Sequence, residues 1–131
     1  VGGPNNRTDY HYNETPELFY QLEGEMNLAV VDDGKFKDIA IKAGEIFLLP
    51  PKMLHSPQRF ENSVGLVVEQ KRAIGQQDAL FWFCPDCKTE LYTEAFCLEN
   101  IETDLPIVFA NFYGNEQNCC CSKCGTKVSK G

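Results

Sequence analysis

Histidine is nearly absent from this 131-residue chain, which has only His11 and His55. Basic residues are scarce as well: 12 Lys and Arg stand against 19 Asp and Glu, for a formal charge of −7. That balance excludes a nucleic-acid surface, because binding phosphates needs a basic face, although it leaves room for a local basic pocket. No run of roughly 18 apolar residues occurs, so no helix is expected to span a membrane. The opening residues show no basic stretch followed by an apolar core, so no secretory signal is expected in them. The chain starts Val1-Gly2-Gly3-Pro4 without Met, in what reads as the end of a strand, and an upstream piece is expected to be missing. At 43% apolar, it is long enough for one domain with a real core and too short for two.

Each of the two histidines sits in a spaced, Gly-punctuated pattern. The first runs Gly3, five residues, Asp9, one residue, His11, five residues, Glu17, six residues, Gly24. The second runs Gly44, five residues, Pro50, one residue, Lys52, two residues, His55, three residues, Arg59. Two His and one carboxylate make the ligand set of an open non-haem iron(II) site, which leaves coordination positions free for substrate and dioxygen. A lone His is usually a surface or core residue, but two at matched positions, with no others in the chain, point to a shared metal.

Around these motifs the chain reads as short strands. Glu17 to Val31 is rich in β-formers, and period two puts Glu17, Phe19 and Gln21 on one face and Leu18, Tyr20 and Leu22 on the other. Asp32-Asp33-Gly34 is a hairpin signal, with Phe36 to Ile41 as the returning strand. Ile46 to Leu49 is expected to be a short buried strand stopped by Pro50-Pro51, and Ser56 to Phe60 and Gly65 to Gln70 supply two more. Such spacing builds a small β-barrel or jelly roll. Further on, Leu80 to Phe83 leads into a cysteine motif, Leu91 to Leu98 is expected to be a strand, and Thr103-Asp104-Leu105-Pro106 is expected to open a short helix through Phe112. The expected organisation is a barrel over 1–80 and an extension over 81–131 packed on it, a single domain overall.

Seven cysteines would suggest disulfides in a secreted chain, but Cys84-Pro85-Asp86-Cys87 and Cys121-Ser122-Lys123-Cys124 have the spacing of a pair of metal knuckles. Four thiolates hold either iron or zinc in a closed tetrahedral site, so its role is expected to be structural and its setting a reducing cytoplasm. Cys119 and Cys120 leave an alternative register open, or are free thiols, and Cys97 reads as a small core residue.

The two Gly-to-His patterns resemble the paired motifs of the cupin superfamily, with Asp9 where the first motif usually has another His and Arg59 where the second usually has Asn. The segments Gly2 to His11 and Leu49 to Arg59 resemble the 3-hydroxyanthranilate 3,4-dioxygenase family specifically, in its bacterial and fungal form with C-terminal, rubredoxin-like knuckles. The resemblance covers essentially the whole chain. It implies an all-β-dominated double-stranded β-helix, catalytic iron(II) on His11, Glu17 and His55, and iron or zinc on Cys84, Cys87, Cys121 and Cys124. It also implies catalytic roles for Arg7, Arg59 and Glu69, and a substrate pocket of Glu17, Phe19, Pro57, Arg59, Glu69, Ile101 and Leu105. In such a pocket Arg59 is placed to pair bidentately with a substrate carboxylate. Arg7 would put positive charge where dioxygen is reduced. Glu69 interrupts the apolar run Leu66-Val67-Val68, and facing inward it needs a partner.

The partners so implied are a small aromatic substrate and O2, with a homodimer as the assembly and neither nucleic acid nor membrane. The implied reaction opens the ring of 3-hydroxyanthranilate to 2-amino-3-carboxymuconate semialdehyde, a precursor of quinolinate in the kynurenine route to NAD. Two alternatives stand beside it: a non-catalytic metal- or ligand-binding sensor, and a dioxygenase for another aminophenol or a thiol. A bare sensor has no reason to place Arg7, Arg59 and Glu69 around two histidines, and Arg59 calls for an anionic group beside the metal.

Overall fold

The computed structural model describes residues 1–129, which form nine strands and one helix in two facing sheets. The strands are β1 (Tyr10–Tyr12), β2 (Glu17–Glu23), β3 (Met26–Asp32), β4 (Lys35–Ile41), β5 (Ile46–Leu49), β6 (Leu54–Arg59), β7 (Val64–Glu69), β8 (Asp78–Phe83) and β9 (Glu90–Phe96). The larger sheet has the order β4-β3-β6-β1-β8-β9 and the smaller β5-β2-β7, and every strand pairing in both is antiparallel. This is a two-sheet antiparallel arrangement of the jelly-roll kind that the spacing of strand and turn signals predicts. β8 crosses residue 80 and pairs with β1, so the large sheet runs through the boundary drawn there.

Phe19, Met26, Leu28, Val30, Ile41 and Leu49 fill the space between the sheets. A second cluster, Leu80, Trp82, Leu98, Leu105, Val108 and Phe112, lies where α1 (Ile101–Tyr113) packs on β8. There the rings of Trp82 and Phe112 stack at 4.3 Å.

The period-two assignment of β2 is observed: Glu17, Phe19 and Gln21 are buried, while Tyr20 and Leu22 face out. β5 departs from its expected burial, since Ile46 and Leu48 are each 63% exposed and only Leu49 is fully buried. Four consecutive apolar residues conceal the alternation of a strand with one solvent-facing side. The helix begins at Ile101, before the expected Thr103-to-Pro106 start, because Asn100 is its cap. Asn100 Oδ1 accepts from the Glu102 N–H, and Asp104 Oδ2 accepts from the N–H groups of Glu99 and Asn100, each at 2.9 Å. Pro106 therefore lies inside the helix rather than at its first position. Cys97 is exposed rather than a core residue: Phe96 before it packs on the second cluster, and the alternation turns the next side chain outward.

Candidate metal centre and its pocket

His11 and His55 are direct cross-strand partners in the β1–β6 pair, so both rings project from the same face of the large sheet. Their centroids lie 5.3 Å apart. Glu17, the first residue of β2, comes inward from the opposite sheet. One ligand atom from each of the three residues lies within 4.8 Å of the other two, and all three side chains are buried. Glu17 Oε2 is 3.3 Å from His55 Nε2, and His55 Nδ1 is 3.0 Å from the Met53 carbonyl, which leaves Nε2 as the inward nitrogen. Burial raises the Glu17 pKa, but the hydrogen bond and charge of His55 and the amide of Asn13 outweigh it and bring it to about 2. A carboxylate kept ionised beside two imidazoles is a donor set suited to iron(II).

These three residues open into a cavity of about 340 Å³ lined by Arg7, Phe19, Pro57, Arg59, Glu69, Ile101 and Leu105 as well, so every substrate-site residue expected from the sequence faces one space. Arg59 is 6% exposed, and its Nη1 is buried with no hydrogen-bond partner. Burial, and then repulsion from Arg7, lowers its pKa. A Cβ on Gly65 would sit 2.7 Å from Arg59 Nη1 and 2.9 Å from Gln21 Oε1, so a larger residue there would displace one of these side chains. Arg7 is held by the carboxylate of Asp9, with Nε to Oδ1 at 3.0 Å. Glu69 is pushed up by burial and then by the Glu17 carboxylate, against the pull of Arg72.

Sequence reasoning missed Asn13, Arg72 and Asp78. Asn13 Nδ2 donates to Glu17 Oε1 at 3.2 Å and lies 3.4 Å from Glu69 Oε1. Asp78 is wholly buried and accepts hydrogen bonds from His11 Nε2 at 2.6 Å and from Arg72 Nε and Nη2 at 2.6 and 2.7 Å. The available signal was periodicity, which places Asp78 on the face of Leu80 and Trp82, a charge at the head of a buried stripe.

The four sulfurs of Cys84, Cys87, Cys121 and Cys124 lie within 4.8 Å of one another at the far end of β8. Cys84 to Cys124 is 3.4 Å and Cys87 to Cys121 is 3.5 Å, near the roughly 3.8 Å expected between thiolates on a tetrahedral ion with bonds of about 2.3 Å. The two knuckles are built alike. Lys88 N donates to Cys84 O and Gly125 N to Cys121 O, both at 2.9 Å, and both turn residues have positive φ, 63° and 77°. Hydrogen bonds with Thr89 lower the Cys87 thiol to about 6. At Cys124 bonds with Thr126 act downward, but the Cys84 and Cys87 sulfurs and burial together outweigh them and raise it to about 11. Four crowded thiols of this kind ionise together only around a cation. Cys119 and Cys120 lie outside the cluster, which settles the register.

The family model for 3-hydroxyanthranilic acid dioxygenase matches residues 1–113. This chain belongs to that family. A 3-hydroxyanthranilate 3,4-dioxygenase of Xanthomonas campestris pv. campestris is 60% identical over 125 residues, spanning 95% of this chain and 71% of the relative. The Neurospora crassa enzyme of the same name is 50% identical over 95% of this chain and 69% of its own length. The Candida albicans one is 48% identical over 96% and 74%. Among solved structures, the S161A mutant of Bacillus subtilis oxalate decarboxylase aligns with 92% of this chain and 28% of its own at 18% identity and a TM-score of 0.46, and the family assignment does not draw on it.

Proposed function

We propose that this chain catalyses ring opening of 3-hydroxyanthranilate by O2, yielding 2-amino-3-carboxymuconate semialdehyde with both oxygen atoms in the product, a step toward quinolinate and NAD. The observation that carries the reading is Arg59 in the wall of the cavity that also holds the His11–Glu17–His55 cluster, a guanidinium that no carboxylate of the described residues neutralises. A cation in the wall beside the metal cluster, with only Arg7 as its charged neighbour, suits an aromatic substrate that brings its own carboxylate.

An iron(II) ion on His11, Glu17 and His55 would supply open positions for the substrate's hydroxyl and amino groups and for O2, and the electron that activates O2. The chain's own residues do the rest. Arg59 fixes the carboxylate and so the ring's angle within the cavity. Glu69, its pKa raised, is suited to take the proton that the substrate's hydroxyl loses on binding and to return it later. Arg7, held by Asp9, keeps positive charge near the centre where charge builds up on oxygen. Phe19, Pro57, Ile101 and Leu105 wall the ring and exclude water.

At the other end of β8, Cys84, Cys87, Cys121 and Cys124 would hold a structural iron or zinc ion. Thiolate coordination of this kind supports a cytoplasmic setting. A homodimer is supported by the outer face of the small sheet, where Tyr20 lies between Ile46 and Leu66 in register and all three are exposed. Sedimentation velocity at micromolar concentration checks the assembly, and a single monomeric species would remove it.

The reaction is tested by anaerobic loading with iron(II), then addition of 3-hydroxyanthranilate and O2. Growth of the ring-opened chromophore with one O2 consumed per substrate is expected. Protein that takes up iron and binds substrate yet consumes no O2 would overturn the reading.

A further inference from the structure

All three residues of the His11–Glu17–His55 cluster have their outward atoms fixed. For His55 the group is the Met53 carbonyl and for Glu17 it is the Asn13 amide. For His11 it is a carboxylate, Asp78, which is fully buried and contributes nothing to the cavity wall. A buried carboxylate is costly unless it is fully paired, and here both oxygens are in use. Oδ1 accepts from Arg72 Nε, while Oδ2 accepts from Arg72 Nη2 and His11 Nε2. Arg72 extends the network further, with Nη2 at 3.4 Å from Glu69 Oε1.

We infer that Asp78 is a positioning residue for the catalytic centre: clamped by the guanidinium fork of Arg72, it holds the Nε2–H of His11 and so presents Nδ1 as the metal-binding nitrogen. The inference rests on the reading of His11, Glu17 and His55 as the metal ligands. Its physical basis is that an imidazole has two nitrogens and one ring torsion to settle. A hydrogen bond from the nitrogen that does not bind metal fixes both tautomer and orientation, and the carboxylate makes the other nitrogen a better donor. Arg72 in turn holds both oxygens of Asp78 in place, and its contact with Glu69 gives the proton-handling carboxylate and the metal ligand a common anchor. Asp78, Arg72 and Glu69 are close in sequence, so the β7–β8 connection carries this outer support as one unit.

The test measures iron(II) affinity by chelator competition in the full chain, with the metal content of the four-cysteine site as the internal control of folding. Asp78→Asn keeps size and shape but loses the charge, and iron(II) affinity is expected to fall by about ten- to a hundredfold with the cysteine site still filled. Asp78→Glu is expected to recover part of the loss. Affinity within twofold of the parent would overturn the inference. If His11→Ala binds iron(II) like the parent, the ligand reading itself fails. If His11→Ala loses the metal while Asp78→Asn keeps it, only the role of Asp78 fails. A measurement on the parent chain loaded with zinc is independent of how any variant folds: a long-range nitrogen–proton spectrum is expected to show His11 protonated at Nε2. A proton on Nδ1 would overturn the inference.

Discussion

Arg59 has a buried guanidinium nitrogen with no hydrogen-bond partner, packed against Gly65. No carboxylate of the described residues offsets its charge, and Arg7 repels it. Arg59→Ala is therefore expected to lower 3-hydroxyanthranilate affinity about tenfold to a hundredfold, the equivalent of a charged hydrogen bond of about 1.5 to 3 kcal/mol, and to lower turnover by loosening the ring's angle. Iron content should stay at the parental level, because Arg is not a ligand. The control compound is 2-aminophenol, which lacks the carboxylate. It should be turned over poorly by the parent and no worse by the variant, and an equal loss on both compounds would place Arg59 in the fold rather than against substrate.

Among elements, α1 connects the pocket to the second core. Its Ile101 and Leu105 line the cavity, while Leu105, Val108 and Phe112 pack beneath it against Trp82. Pro106 removes one backbone donor inside this helix, so its first turn depends on the Asn100 cap and on the Asp104 carboxylate that reaches back to two N–H groups. Asn100→Ala is expected to cost about 1 kcal/mol in chemical denaturation, because it leaves the Glu102 N–H without its partner. Since Ile101 and Leu105 wall the site, the same variant should raise KM more than it lowers kcat, measured with saturating iron. Parental stability and an unchanged KM would show that the cap is dispensable.

For the whole molecule, the four-cysteine cluster ties the end of the chain to the end of β8, and Val128 beyond it packs on the second core. Metal binding there is partly folding energy, since the unfolded chain has no preformed site. Cys124→Ser should lower the melting temperature while leaving iron at the His11–Glu17–His55 centre nearly unchanged per folded molecule. A variant as stable as the parent but inactive would point instead to electron transfer between the centres. The acidic surface, at −7 overall, repels an anionic substrate at long range, which makes the local charge of Arg7 and Arg59 the attraction that operates inside the cavity.

The sequence by itself singled out the His11, Glu17 and His55 that the structure gathers, the strand alternation of β2 and the two cysteine pairs, because each depends on spacing along the chain: period two for strands, two intervening residues for a thiolate pair. It also carried the family resemblance, and with it the pocket residues that the structure brings into one cavity. What it left undecided depends on contacts between distant segments. Whether Ile46 and Leu48 face solvent, whether Cys97 is covered, and whether the knuckles use Cys121 or a neighbour are settled by which surfaces meet, and an apolar run or a row of cysteines reads alike in either case. Only the tertiary structure placed Asp78 against His11 and left Arg59 Nη1 unpaired, because a hydrogen bond is made at about 3 Å and nothing in a linear order of residues specifies that distance.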